Sequence, residues 1–174
     1  MSLIRAIGEL ANPYHAYVFG TAFWYFLRGI VRIVDPETVC GWFRPPVDGL
    51  PTPNDLELYT TRTDAFSLLA LAAILLAVAD AVALPSQYAG STLVNDAPPK
   101  SKKPYARAIV VITILHHIAT GVGAYQHWSK PSHNTVAMEI GVWGNIFFTA
   151  LGVAALQLGL KDSGAPSLAG KKKV

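Results

Sequence analysis

The chain has 174 residues, of which 52% are hydrophobic and 14% are charged, with a formal net charge of +3. This apolar fraction is too high, and the charged fraction too low, for a typical soluble domain. The single cysteine, Cys40, excludes an internal disulfide and a cysteine-built metal site. We therefore expect a membrane protein.

A membrane-spanning helix needs about 20 mostly apolar residues, and four stretches come close to this requirement. They are residues 15–34, 65–84, 106–126 and 140–160. Arg28 and Arg32 interrupt the first stretch, which either crosses the membrane fully or lies partly in the interface. The sequence predicts an all-α membrane protein, a bundle of about four transmembrane helices that forms one domain over residues 1–162.

The connection after the first span, residues 35–64, contains five prolines. Proline fits neither a helix interior nor a central strand, so we expect a Pro-rich ordered loop or a short interfacial helix here. The last twelve residues, 163–174, are polar and basic, and we expect them to form a mobile tail.

The charges predict the orientation of the four spans. Both termini and the middle loop share one side of the membrane, and that side carries most of the lysines and arginines. By the positive-inside rule this side faces cytosol or matrix. Its basic residues are candidates for contacts with anionic lipid headgroups or with a partner protein: Lys100, Lys102, Lys103 and Arg107. They lack interleaved aromatic residues, so we do not expect nucleic acid to bind.

Two adjacent histidines, His116 and His117, lie inside the apolar stretch ITILHHIATGVG. Neighbouring residues on a helix point about 100° apart, so these two cannot hold one metal or one haem together. We predict no metal and no cofactor, and we assign both histidines to polar contacts between helices. Asp80, near the end of the second span, is a further candidate for such a contact.

Helical rise places Arg28 and Asn145 at the same depth, below the acidic side of the membrane. We expect them to meet, with acidic residues above them at the rim, in a charge clamp that orients the first span. The alternative is a small polar pocket in which Glu139, Asp64 and His116 act as acid or base.

Three segments carry a resemblance to a known group of proteins. An aromatic first span followed by DPETVCGWFRPP, an Ala/Leu-rich span introduced by ELYTTRTD, and a last span introduced by MEIGVWGN resemble the small multi-span accessory subunits of fungal mitochondrial respiratory complex I. The layout is also similar to that of four-span DoxX-type membrane proteins. The first resemblance implies a location in the mitochondrial inner membrane and a role in assembly or stability.

The sequence therefore predicts a non-catalytic accessory subunit whose partners are other membrane subunits and phospholipid. The alternative function is a small four-span enzyme, an isomerase or reductase, that acts on a lipid-like substrate. The endoplasmic reticulum membrane is the alternative location, because the charge pattern fits it equally well.

Overall fold

The computed structural model of the chain describes residues 12–47, 49–79 and 103–160. Its five α-helices are α1 (Pro13–Val34), α2 (Pro36–Phe43), α3 (Asp55–Val78), α4 (Lys103–Trp128) and α5 (Val136–Ala154). A 3-10 turn (Pro131–His133) precedes α5 and a π-helical turn (Ala155–Gly159) continues it. No strand occurs in the described ranges.

The four long helices confirm the predicted all-α membrane fold. Each of them, with the π turn counted as part of the last, is long and apolar enough to cross a membrane. Helix α1 runs unbroken for 22 residues, which at about 1.5 Å per residue spans roughly 33 Å. The protein is a multi-pass membrane protein.

Helix α3 begins well before the predicted span at 65–84. The side chain of Asn54 accepts a hydrogen bond from the backbone N–H of Glu57 at 3.0 Å, and the Glu57 carboxylate accepts one from the Asn54 N–H at 2.8 Å. This reciprocal capping box starts the helix at Asp55. The sequence analysis assigned residues 55–64 to the Pro-rich connection, an ordered loop or a short interfacial helix, but local capping governs where a helix starts. The predicted end of this span and the predicted tail lie outside the described residues.

The Pro-rich connection is a short helix followed by an ordered loop. Asp35 caps α2, because its Oδ1 accepts a hydrogen bond from the Thr38 N–H at 3.1 Å, and Pro36 occupies the first helical position. Beyond α2, the Arg44 guanidinium donates to the Glu57 carboxylate and to the backbone carbonyl of Pro51. The loop is thereby tied to the start of α3.

The long helices pack as two antiparallel pairs, α1 with α3 and α4 with α5. Helix α1 joins the pairs through its contacts with α5 and the π turn, and α2 lies across α3, α1 and α5. Large apolar side chains also cover the outside of the bundle, as Phe23 and Phe147, exposed by 66% and 60%, illustrate. Such an apolar exterior suits contact with lipid chains.

One end of the bundle, where α1 begins and the π turn ends, is packed without room for another methyl group. A Cβ on Gly152 would lie 2.6 Å from Ile114 Cγ1 and 2.8 Å from Tyr17 Cε2. A Cβ on Gly159 would lie 2.7 Å from both the Cβ and the backbone N of Tyr14. We call this half the closed end. The opposite half, where α1 ends and α5 begins, contains a cavity. We call this half the open end.

Candidate functional site

A hydrogen-bonded network occupies the centre of the bundle. His117 is completely buried, with its Nδ1 2.9 Å from Asn145 Oδ1 and its Nε2 3.3 Å from the Tyr25 hydroxyl. The Asn145 amide nitrogen donates to the Gly141 carbonyl at 2.7 Å, so its oxygen faces His117 as an acceptor. His117 therefore donates from Nδ1 and accepts from Tyr25 at Nε2. We call Tyr25, His117, Asn145 and Thr120, whose hydroxyl donates to Asn145 Oδ1 at 2.9 Å, the central network.

The polar face of α1 supplies partners that sequence analysis missed. Tyr25 belongs to the central network, and the Tyr17 hydroxyl lies 2.7 Å from the Thr113 hydroxyl of α4. Both tyrosines are fully buried. The signal was present in the sequence, because Tyr17, Thr21, Tyr25 and Arg28 recur at intervals of three and four residues and so share one face of the helix.

The two adjacent histidines have different surroundings. His116 packs its ring against that of Tyr25, with centroids 5.3 Å apart. Its Nε2 is buried and has no hydrogen-bond partner among the described residues. His117 therefore forms hydrogen bonds between helices, whereas His116 Nε2 forms none with the described residues.

The cavity of the open end has a volume of about 750 Å³. Side chains of α1, α2, α4 and α5 line it, together with Asp64 of α3. Arg28 and Asn145, which the sequence predicted to meet, both line this cavity, but they do not bond to each other: Asn145 bonds to His117 instead. Most of the wall is apolar, with Phe43, Met138 and Ile140 among its members.

An ion pair closes one side of the cavity. Arg32 Nε lies 2.9 Å from Asp64 Oδ2, and Arg32 is only 6% exposed. Its Nη1 also donates to the backbone carbonyl of Arg28 at 3.0 Å, and its guanidinium lies 5.8 Å from the centre of the Phe43 ring. This pair anchors the end of α1 to α3, since a cation this deeply buried requires a counter-charge.

Of the three alternative acid and base residues, Asp64 belongs to the described lining of the cavity. Asp64 lines the cavity but is held by Arg32. Glu139 is exposed in the first turn of α5, and neither Glu139 nor His116 is among the described residues that line the cavity. The described lining of this cavity therefore contains one of these three side chains, Asp64.

Two of the predicted lipid or partner contacts, Lys103 and Arg107, lie at the closed end. Lys103 begins α4, and Arg107 Nη2 donates to the carbonyl of Leu160 at 2.6 Å, which satisfies a backbone acceptor where the π turn ends. The other predicted residues of this group, Lys100 and Lys102, lie outside the described residues. So does Asp80, the predicted interhelical contact of the second span.

The charges of the connection outside the spans are held by local hydrogen bonds. Hydrogen bonds from Thr38, through its side chain and its backbone N–H, lower the pKa of Asp35 below its usual 3.8. A hydrogen bond with the Glu57 carboxylate raises the pKa of Arg44 above its usual value. Both groups therefore stay charged at neutral pH and stabilise the connection beside the cavity.

Comparison with known proteins identifies a family. The model of a family described as a domain of unknown function, DUF8792, matches residues 17–165, a region that contains α2, α3, α4 and α5 in full and nearly all of α1. The search of curated proteins found no match, and neither did the search of solved structures.

Proposed function

The chain belongs to the DUF8792 family, and we propose that it is a non-catalytic accessory subunit of a large membrane complex, which it helps to assemble or to keep stable. The observation that carries this proposal is the central network. His117 is fully buried in this network. Its two ring nitrogens form hydrogen bonds with Tyr25 of α1 and Asn145 of α5. Such groups hold helices together in a membrane.

The outer surface supports the same proposal. Large apolar side chains are exposed along all the long helices, for example Phe26 on α1, Phe66 on α3, Leu115 on α4 and Trp143 on α5. These faces can contact either lipid or the spans of neighbouring subunits. A subunit of a large complex needs such faces on more than one side.

The complex that we propose is mitochondrial respiratory complex I, in the inner mitochondrial membrane. Its support is the resemblance of the segments DPETVCGWFRPP, ELYTTRTD and MEIGVWGN to fungal accessory subunits of that complex. The endoplasmic reticulum membrane is the alternative location, since the distribution of basic residues suits it too.

The second candidate is a small enzyme that acts on a lipid-like substrate, and the cavity of the open end is the observation in its favour. A volume of about 750 Å³ is within the usual range of small-molecule sites. Against this candidate, Glu139 and His116 lie outside the cavity lining and Asp64 is engaged by Arg32. We therefore prefer the accessory role.

A native gel of membranes solubilised in mild detergent tests the proposal. A tagged copy of the chain should migrate in a band of many hundreds of kilodaltons, and mass spectrometry of that band should identify respiratory-chain subunits. Cells that lack the chain should contain less of the intact complex, and re-expression should restore it. Migration as a small monomer or dimer would contradict the proposal and favour the enzyme.

A further inference from the structure

The cavity of the open end is lined by an arginine, Arg28, that forms no ion pair of its own among the described residues. Two arginines line it, but the one acid in its described lining, Asp64, forms its ion pair with Arg32. No ion pair of Arg28 occurs among the described residues, and its guanidinium lies 5.8 Å from the centre of the Trp24 ring. One positive charge is therefore left over in a mostly apolar space.

Two hydrogen-bond donors of the cavity lining lack acceptors. Arg28 Nη1 and Trp24 Nε1 are both buried, and neither has a hydrogen-bond partner among the described residues. They belong to residues four positions apart on α1, which place their side chains on the same face. A buried donor without an acceptor is costly, and a charged one more so. Each donor would be satisfied by a bound acceptor, and the two oxygens of one carboxylate could supply both.

We propose that the cavity binds a single-chain amphiphile with one negative charge, such as a long-chain carboxylic acid. Its carboxylate accepts hydrogen bonds from Arg28 and Trp24. Its chain lies against the apolar wall that includes Phe43, Met138 and Ile140. A planar carboxylate matches the fork of the guanidinium, which makes this pair of groups a strong one.

Charge and size select this class of ligand. A single unpaired arginine balances a monoanion, whereas a phosphate monoester would bring charge in excess. About 750 Å³ accommodates one chain in contact with its walls rather than both chains of a phospholipid. Trp42 and Phe43, which line the cavity from α2, are 42% and 43% exposed. Aromatic side chains of this kind favour the membrane interface, where a fatty acid would enter.

Photolabelling of the full chain in nanodiscs of phosphatidylcholine tests the proposal. The probe is a long-chain fatty acid that carries a diazirine on its chain. We expect labelled peptides from α2 and from the first half of α5, with oleate as an effective competitor. Methyl oleate, which has the same chain without the charge, should compete poorly. Equal competition by methyl oleate, or labels spread evenly over the lipid-facing surfaces, would overturn the proposal.

Substitutions of the two donors sharpen the test, and each has a matched control. Arg28→Gln should weaken binding of the probe about tenfold or more, since a hydrogen bond to a charged group is worth about 1.5–3 kcal/mol. Trp24→Phe should weaken it about fivefold, because it removes one donor and keeps the ring. Arg62→Gln and Trp143→Phe, at exposed positions outside the lining, should leave binding unchanged. Undiminished labelling of Arg28→Gln would contradict the assigned role of Arg28.

A third variant covers the case in which Arg28→Gln fails to fold. Gly123 lines the cavity, and a Cβ built on it would meet no other atom within 4 Å. Gly123→Phe should therefore fill the space while Arg28 stays in place, and labelling should fall. Retained labelling would overturn the proposal. Competition by phosphatidic acid but not by oleate would do so too, because it would identify a two-chain phospholipid as the occupant. These measurements use the purified chain, so their outcome is separate from that of the native gel.

Discussion

The closed end and the open end are built from the same helices but differ in how completely they are filled. At the closed end, Gly152 and Gly159 allow contacts that a single methyl group would block. At the open end, Gly123 faces empty space and the cavity measures about 750 Å³. Tight packing stabilises one half, and the unfilled half retains buried polar groups that have no partners within the described chain. Among the described residues, the open end therefore offers a space for binding.

A pair of glycine substitutions should give the largest difference between the two ends. Gly152→Ala places a methyl group within 3 Å of Ile114 and Tyr17, and overpacking of this kind costs about 2 kcal/mol. Gly123→Ala meets no atom and adds helix propensity, so it should be neutral or stabilise by up to about 1 kcal/mol. The measurement is the free energy of unfolding in mixed micelles titrated with dodecyl sulfate, followed by circular dichroism. Equal changes in the free energy of unfolding at the two positions would contradict the proposed difference in packing between the two ends.

Substitutions of the two histidines test the central network, which lies between the closed end and the open end. His117→Leu removes both bonds to the central network and leaves Tyr25 and Asn145 short of a partner, so we expect a loss of about 1–2 kcal/mol. His116→Leu removes a ring whose Nε2 has no partner among the described residues, so its loss should be below about 0.5 kcal/mol. The same unfolding titration measures both.

A double-mutant cycle provides the control for the histidine experiment. Tyr25→Phe should cost less in the His117→Leu background than in the natural chain, because the bond between the two side chains is already gone. Additive effects would show that the bond between Tyr25 and His117 contributes nothing measurable to stability.

The smallest expected effect is a pH dependence at the rim of the open end. The pKa of Asp35 lies below its usual 3.8 in the folded chain, so the cap of α2 contributes its full stability above the unfolded pKa. That contribution is lost as the pH falls through the lower, folded pKa. We expect the amide resonance of Thr38 to shift below about pH 4, whereas Asp35→Asn, which keeps a capping side chain, should show no such titration. If the Thr38 amide resonance of the natural chain did not shift with pH, the assignment of Asp35 as the cap would be wrong.

Much of the candidate site was accessible from the sequence, but the pairings within it were not. Depth along the helices placed Arg28 and Asn145 at one level, because helical rise is a local property, and both line the cavity. Depth does not determine which way a helix is turned, so the bond from Asn145 to His117 could not be deduced from it. Tyr25 was missed because an aromatic residue in a span is usually assigned to the lipid or the interface.

The sequence by itself determined that this is a membrane protein of four long helices, because hydropathy and length act within each segment. Even there, the start of α3 depended on a capping box that hydropathy does not detect. Only the tertiary structure decided where, among the described residues, the cavity lies. It also decided that Asp64 pairs with Arg32, while Arg28 has no ion pair among the described residues, because the rotation and pairing of helices depend on contacts between residues far apart in the chain.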